Sequence, residues 1–305
     1  MKNKRLLGNG LLLLTAIIWG TAFAFQRVGM ESIEPITFNA ARMALAAVAI
    51  GLLALLLRRR ELRTAPAPDE AERKRSSKIT LLGGICCGGC LSVASILQQM
   101  GLVYTSAGKA GFITAMYMLL VPIIGFVFLR RKNTWLVWLA VLLGVTGMYL
   151  LCITEGFRLS RGDALVCLCA LFFSFHILCC DYFARRGDPI RISAVQFAAA
   201  TIISAVAAAV FEEPSIEKLR SALIPILYCG IVSGGIGYTL QITAQKFTEP
   251  TVASLLMSME SVFAVIAGAL ILHEQLRPRE LLGCIILFAA IVLVQLPLPK
   301  ARRTR

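Results

Sequence analysis

Ten apolar stretches, each close to twenty residues and joined by short connections, leave this chain few ways to fold. They run roughly over 10–28, 36–57, 79–99, 107–129, 134–153, 163–183, 190–211, 221–242, 250–272 and 279–297. A bilayer core about 30 Å thick takes about 20 helical residues to cross. Inside it every backbone amide must find its partner within the segment, which selects helix. With 58% hydrophobic and only 16% charged residues among 305, the chain carries more apolar surface than a soluble domain of this size can bury. The connections leave no room for a separate soluble domain. The expected fold class is therefore all-α integral membrane, with ten transmembrane helices. The amino-terminal KNKR, the run LLLLTAII and the triplet Ala22-Phe23-Ala24 imitate a cleavable signal peptide. The repeat described next needs this segment as its first helix.

The chain repeats itself. A shift of 154 residues lays Pro35-Ile36 on Pro189-Ile190, Ala40 on Ala194, Ala44 on Ala198, and Arg42 on Gln196. A shift of 143 lays Leu97-Gln98 on Leu240-Gln241, Thr105 on Thr248, Met116 on Met259, Tyr117 on Glu260, and Gly125 on Gly268. The two shifts differ because a long charged connection, expected as a loop over 58–78, has a shorter counterpart near 212–220. Residues 1–157 and 158–305 are thus two five-helix units. An odd number of spans per unit makes the second enter the membrane from the opposite side, an inverted repeat whose binding site is expected near the midplane.

Charge sets the orientation. Of 31 Lys and Arg, 22 fall on the side that holds both termini and 8 on the other, with Arg42 inside the second span. That bias places both termini in the cytoplasm. It also accounts for the net charge of +14 without nucleic acid, since no nucleic-acid-binding motif accompanies the basic residues. All ten cysteines lie in or at the edge of apolar spans and lack paired Cys-x-x-Cys zinc spacing. They read as core residues, with no metal and no cofactor implied. Gly84-x-x-x-Gly88 and Gly230-x-x-x-Gly234 read as points of close helix approach.

Trp19-Gly20, Arg42, YTSAGKAGFITAMYMLLVP over 104–122 and SMESVFAVIAGALILHE over 258–274 resemble the EamA-type branch of the drug/metabolite transporter superfamily, over nearly the whole chain. The resemblance implies a carrier with a central cavity built from helices 1–4 and 6–9, with helices 5 and 10 peripheral. Members move amino acids, other metabolites or drugs, often outward. The family usually ends helices 4 and 9 in Gly-Glu, where this chain has Arg130-Arg131 and His273-Glu274.

Enzymatic readings fail on local detail. In GLVYTSAGKA, 101–110, the P-loop spacing is too long and Ala110 replaces the Ser or Thr; in HEQLR, 273–277, Arg277 stands where a second zinc-binding His belongs. The sequence instead offers residues for binding. Glu260, ten residues into the ninth span, lies about 15 Å deep. An ionisable group there costs about 2.5–3.5 kcal/mol on insertion scales and should face the bundle interior. It is a candidate substrate ligand or proton carrier, or else a carboxylate locked to Arg42 or to hydroxyls of another helix. Tyr117 is its partner in the repeat register. Arg42 is a ligand or a snorkelling anchor. His176 can relay protons or be held by a hydrogen bond between helices. Trp19, Phe23, Phe173, Phe175 and Tyr238 are candidates for an aromatic cavity wall. Pro122 is expected to kink helix 4, a candidate gate without a counterpart because Val265 holds the matching place.

The function expected is secondary-active transport of a small metabolite by alternating access. The rival is a channel or scaffold, for which one buried carboxylate without a ring of like charges makes a poor filter. Implied partners are a small-molecule substrate, the lipid bilayer and a proton or counter-substrate, with room for a homodimer.

Overall fold

The structure, a computed structural model, describes residues 2–64, 69–105, 107–131, 133–152, 160–271 and 278–295. Among them all regular structure is helical. In chain order the helices are α1 (Lys2–Gly29), α2 (Pro35–Thr64), α3 (Glu70–Leu102) and a divided α4 (α4a, Ala107–Ala115; α4b, Tyr117–Val127). Then come α5 (Trp135–Cys152), α6 (Arg161–Ala184) and α7 (Pro189–Phe211). After a short surface turn of helix, α8 is built from Leu223–Leu227, a π-helical stretch Tyr228–Gly237 and Tyr238–Ala244. A divided α9 (α9a, Pro250–Met257; α9b, Glu260–Ile271) and α10 (Pro278–Gln295) complete the fold. Eight of these segments are long and apolar enough to cross a membrane, and shorter apolar helices cover Trp135–Gly147 and Leu281–Leu293.

Local sequence sets the helix ends. Ser160 and Asp163 form a reciprocal capping box at the start of α6, with bonds of 3.1 and 2.8 Å. Asp188 accepts from the Arg191 amide at 2.8 Å while Pro189 occupies the first turn of α7. Past α4b, Arg130 adopts φ 51° and the Arg131 amide bonds back to the Gly125 carbonyl at 2.9 Å. Only glycine takes that left-handed conformation freely, and another residue gives up about 1 kcal/mol. A glycine would take this position without that cost. The matching His273-Glu274 lies outside the described residues.

Packing follows the repeat. α1 lies on α8 and α9 as α6 lies on α3 and α4; α2 lies on α8 as α7 lies on α3; α2 pairs with α7 and α5 with α10. Each long contact therefore joins one unit to the other, and exchanging the units reproduces the contact pattern. In lipid such association rests on close packing and interhelical hydrogen bonds rather than on water exclusion. A Cβ at Gly230 would sit 2.9 Å from the Arg42 carbonyl, and one at Gly88 would sit 2.6 Å from that of Gln196. Arg42 and Gln196 are repeat mates, so the two glycines license equivalent approaches.

One expectation needs correction. The charged connection is mostly helix, because α2 continues to Thr64 and α3 begins at Glu70. Arg, Lys and Glu are good helix formers, and Glu70 pairs with Lys74 one turn on at 2.7 Å. The breaks in the two divided helices are symmetric. α4b runs through Pro122, and the interruptions fall at Met116 in α4 and at Ser258-Met259 in α9, which are repeat mates. At both places amides reach three residues back, Met116 to Ile113 at 3.1 Å and Met259 to Leu256 at 3.3 Å, a tightened 3₁₀ turn. In α9 the hydroxyls of Ser254, Ser258 and Ser261 each bond to the carbonyl three residues earlier, a habit that bends helices.

Candidate functional site

The tightened turns make Tyr117 the first residue of α4b and Glu260 the first residue of α9b. The two meet. The Tyr117 hydroxyl donates to Glu260 Oε1 at 2.8 Å, with both side chains buried. Residues matched by the repeat thus touch where α4 packs on α9. α1 closes over this point because Gly20 has no side chain: a Cβ there would lie 2.6 Å from the Glu260 carbonyl.

Around them lies a small cavity. Trp19, Phe23, Phe173 and Tyr238 form its aromatic wall, and Gln26, Arg42, Gln98, Thr114, Tyr117, Ser233 and Glu260 its polar lining. Its free space is about 30 Å³, room for about one water. A metabolite therefore enters only when the helices part. Trp19 is fixed by donation from Nε1 to the Ser233 carbonyl at 3.2 Å and by a ring contact with Tyr238 at 4.5 Å. The acceptor lies in the π-helical stretch of α8, a geometry that recurs at functional sites.

Charge in this cavity is arranged unusually. Arg42, 4% exposed, donates from Nε to Asn39 at 2.9 Å, and Asn39 in turn donates to Ser95 and Ser204. Arg42 Nη2 has no partner among the described residues. No ion pair joins Arg42 to Glu260 among the described residues, although both line the same cavity. Gln98 donates to Thr114 at 3.1 Å.

Of the residues singled out from sequence, Glu260, Tyr117, Trp19, Arg42 and Tyr238 come together here, as do Phe23 and Phe173. His176 does not reach the cavity. It stands behind Tyr238, ring to ring at 5.6 Å, and shares a hydrogen bond with Gln196 at 3.2 Å. Phe175, expected in the wall, is 38% exposed on the outside of the bundle, because α6 turns Phe173 inward and a residue two positions on points to nearly the opposite side of the helix. Pro122 is buried in α4b, away from the lining. Gln26, Gln98, Thr114 and Ser233 were not singled out. The signal for Gln98 was present, since it falls on Gln241 in the repeat.

Several ionisable groups outside the cavity are paired. On the face opposite the amino terminus, Asp163 accepts from Lys109 at 2.6 Å and from Thr105 at 3.0 Å. The repeat mates of Asp163 and Thr105 are Asn9 and Thr248, which also hydrogen bond, at 3.1 Å. Beside the first of these ties Lys218 meets Glu34, holding that carboxyl below its usual range and the amine above its own. On the amino-terminal face Asp181 takes both Arg131 and Arg185 at 2.8 Å. A wider hollow of about 330 Å³ on that face, between the end of α2 and the start of α7, contains the Arg191–Glu61 ion pair. It holds none of the buried charge that needs explaining.

The family model for the EamA-like transporter family matches residues 6–153 and again 160–296. An uncharacterized transporter of Archaeoglobus fulgidus is 30% identical over 302 residues, covering 96% of this chain and 87% of its own. A S-adenosylmethionine/S-adenosylhomocysteine transporter of Chlamydia trachomatis serovar L2 is 26% identical, over 91% of this chain and 88% of its own. A probable terminal-alkyne amino-acid exporter of Streptantibioticus cattleyicolor is 23% identical over 52% of this chain and 49% of its own. The fold is similar to that of a protein solved by crystallography, with TM-score 0.73 and 18% identity over 93% of this chain and 95% of that one.

Proposed function

The chain belongs to the EamA-like transporter family, a family of membrane transporters, and we propose that it is a secondary carrier moving a small zwitterionic or cationic metabolite by alternating access of its two repeats. One observation carries this reading: a guanidinium and a carboxylate, both buried, line one cavity without pairing with each other. Two opposite charges left apart inside a low-dielectric bundle are costly unless something bridges them. A substrate with an anionic group for Arg42 and an ammonium or sulfonium group for Glu260 does so, and Trp19, Phe173 and Tyr238 suit an apolar or cationic remainder. Amino acids and S-adenosylmethionine, named among the relatives' cargoes, have that chemistry. Glu260 also serves as the site where a coupling proton replaces the substrate, with the Tyr117 hydroxyl holding the carboxylate in the empty carrier. Pro122, five residues beyond Tyr117, has no amide hydrogen, so α4 bends there without losing a backbone hydrogen bond. Units 1–157 and 158–305 move against each other.

Counterflow in proteoliposomes tests this. Vesicles preloaded with unlabelled amino acids or S-adenosylmethionine should accumulate the labelled compound, saturably and only when loaded. Flux that never saturates points to a channel instead. Orientation is tested separately. Cysteines at Ser32 and Ser215 should react with an impermeant thiol reagent outside intact cells and one at Ser76 should not, if both termini are cytoplasmic; labelling at 76 overturns that placement.

A further inference from the structure

The cavity occupies only half of the bundle, the half away from the amino terminus. Its lining residues there have repeat mates in the amino-terminal half: Ala22 maps to His176, Gln26 to Cys180, Arg42 to Gln196 and Gln98 to Gln241. These four mates, scattered over α6, α7 and α8, are all buried. His176 Nε2 lies 3.2 Å from Gln196 Oε1 and 3.4 Å from Cys180 Sγ. Tyr238, which contacts the His176 ring, separates this cluster from the cavity.

The cluster is poorly satisfied. Among the described residues, Gln196 Nε2 and both polar atoms of Gln241 have no hydrogen-bond partner, and neither does Ser193 Oγ, one turn from Gln196, nor Gln245 Oε1, one turn from Gln241. Amides selected only for packing would find partners, because an unpaired buried polar group is expensive. Here the unpaired atoms sit at positions whose counterparts already line the cavity.

We propose that His176, Gln196 and Gln241 form a second half-site for the same substrate, packed shut here and exposed to the amino-terminal face when the repeats exchange conformations. This rests on the alternating-access reading above. In an inverted repeat, opening to the other side amounts to each unit adopting the other's arrangement. Trp19 with Phe173 and Tyr117 with Glu260 are mates that both line the cavity now, so the midplane part of the site serves both states. The outer parts differ in chemistry. Arg42 offers a fixed cation towards one face, whereas Gln196 offers a neutral amide towards the other. An anionic group is held more tightly in the state described here and released more readily from the second half-site.

The test uses a cysteine-free full-length protein in membrane vesicles of both orientations. Gln241→Cys and, separately, Gln196→Cys are treated with an impermeant methanethiosulfonate. Each is measured free and after the state described here is locked by joining a Glu34→Cys/Lys218→Cys pair, whose native side chains touch, with a short bifunctional thiol cross-linker that spans the length of the replaced side chains. Both positions should react from the amino-terminal face at least tenfold faster unlocked than locked, and from the other face in neither case. A separate variant with nitroxide labels at Arg130 and Lys246 reports whether the units move. Two distance populations that collapse to one on locking, with both cysteines unreactive or equally reactive throughout, overturn the half-site while alternating access stands. A single population in both conditions overturns alternating access, and the half-site with it.

Discussion

The ionisable groups at the rim of the bundle and those at its centre are treated oppositely. At the rim Asp163 is satisfied by Lys109, Thr105 and its own capping box, and Asp181 by two arginines. At the centre, among the described residues, the Glu260 carboxylate has one phenol, Arg42 one amide, and the two leave each other alone. A carboxylate with all its partners in place holds helices together. One left short of partners beside a cavity is available to something that comes and goes.

The sharpest way to break the contrast is Glu260→Gln, which keeps size and hydrogen-bonding capacity but removes the charge. Counterflow should fall by about a hundredfold, as for loss of a ligand in a low-dielectric site, with little change in melting temperature. A stable, fully active Glu260→Gln protein puts Glu260 in the same class as the rim carboxylates. Asp163→Asn should behave the other way round. It removes a buried charge from Lys109 and weakens the α6 cap, costing about 2 kcal/mol of stability, read as a lower melting temperature in detergent. Transport per folded molecule should be kept.

Tyr117→Phe sharpens the comparison by removing the hydrogen bond from the Tyr117 hydroxyl to the Glu260 carboxylate. A charge-assisted bond of about 1.5 kcal/mol predicts about a tenfold change in apparent substrate affinity in the same counterflow assay. A silent Tyr117→Phe makes the contact incidental.

The smallest effect belongs to the exposed rim. Glu34 has its carboxyl lowered by Lys218, so the tie stabilises above the unfolded carboxylate's pKa, about 4.3, and is lost as pH falls through the lower folded value. Lys218 is raised, and its share is lost only as pH rises above about 10. Glu34→Gln should therefore shift melting by about 1 °C or less at pH 7, and that difference should vanish once the pH falls below the lowered folded value.

Much of this was open to reading in the residues. The apolar runs announced a helical membrane protein, and the two registers announced paired units. Glu260 stood out because a carboxylate in mid-span has no cheap explanation, and its meeting with Tyr117 follows the register. Gly230 and Gly88 marked real close approaches. Phe175 and His176 show where the reading stops, since nothing local tells Phe173, which lines the cavity, from Phe175, which faces outward. The symmetric breaks at Met116 and Ser258-Met259 were hidden by the more conspicuous Pro122.

The sequence by itself determined the number and length of the apolar runs, their grouping into two units and the depth of each polar residue. Bilayer thickness and helical rise convert position along the chain directly into depth. Only the tertiary structure decided which side of each helix faces the cavity. In water a helix's polar face marks its outside, but here lipid and protein interior are both apolar and the helices carry no contrasting stripe. Rotation about each axis was settled by packing, by Gly20 against Glu260, Gly237 against Trp19 and Gly230 against Arg42.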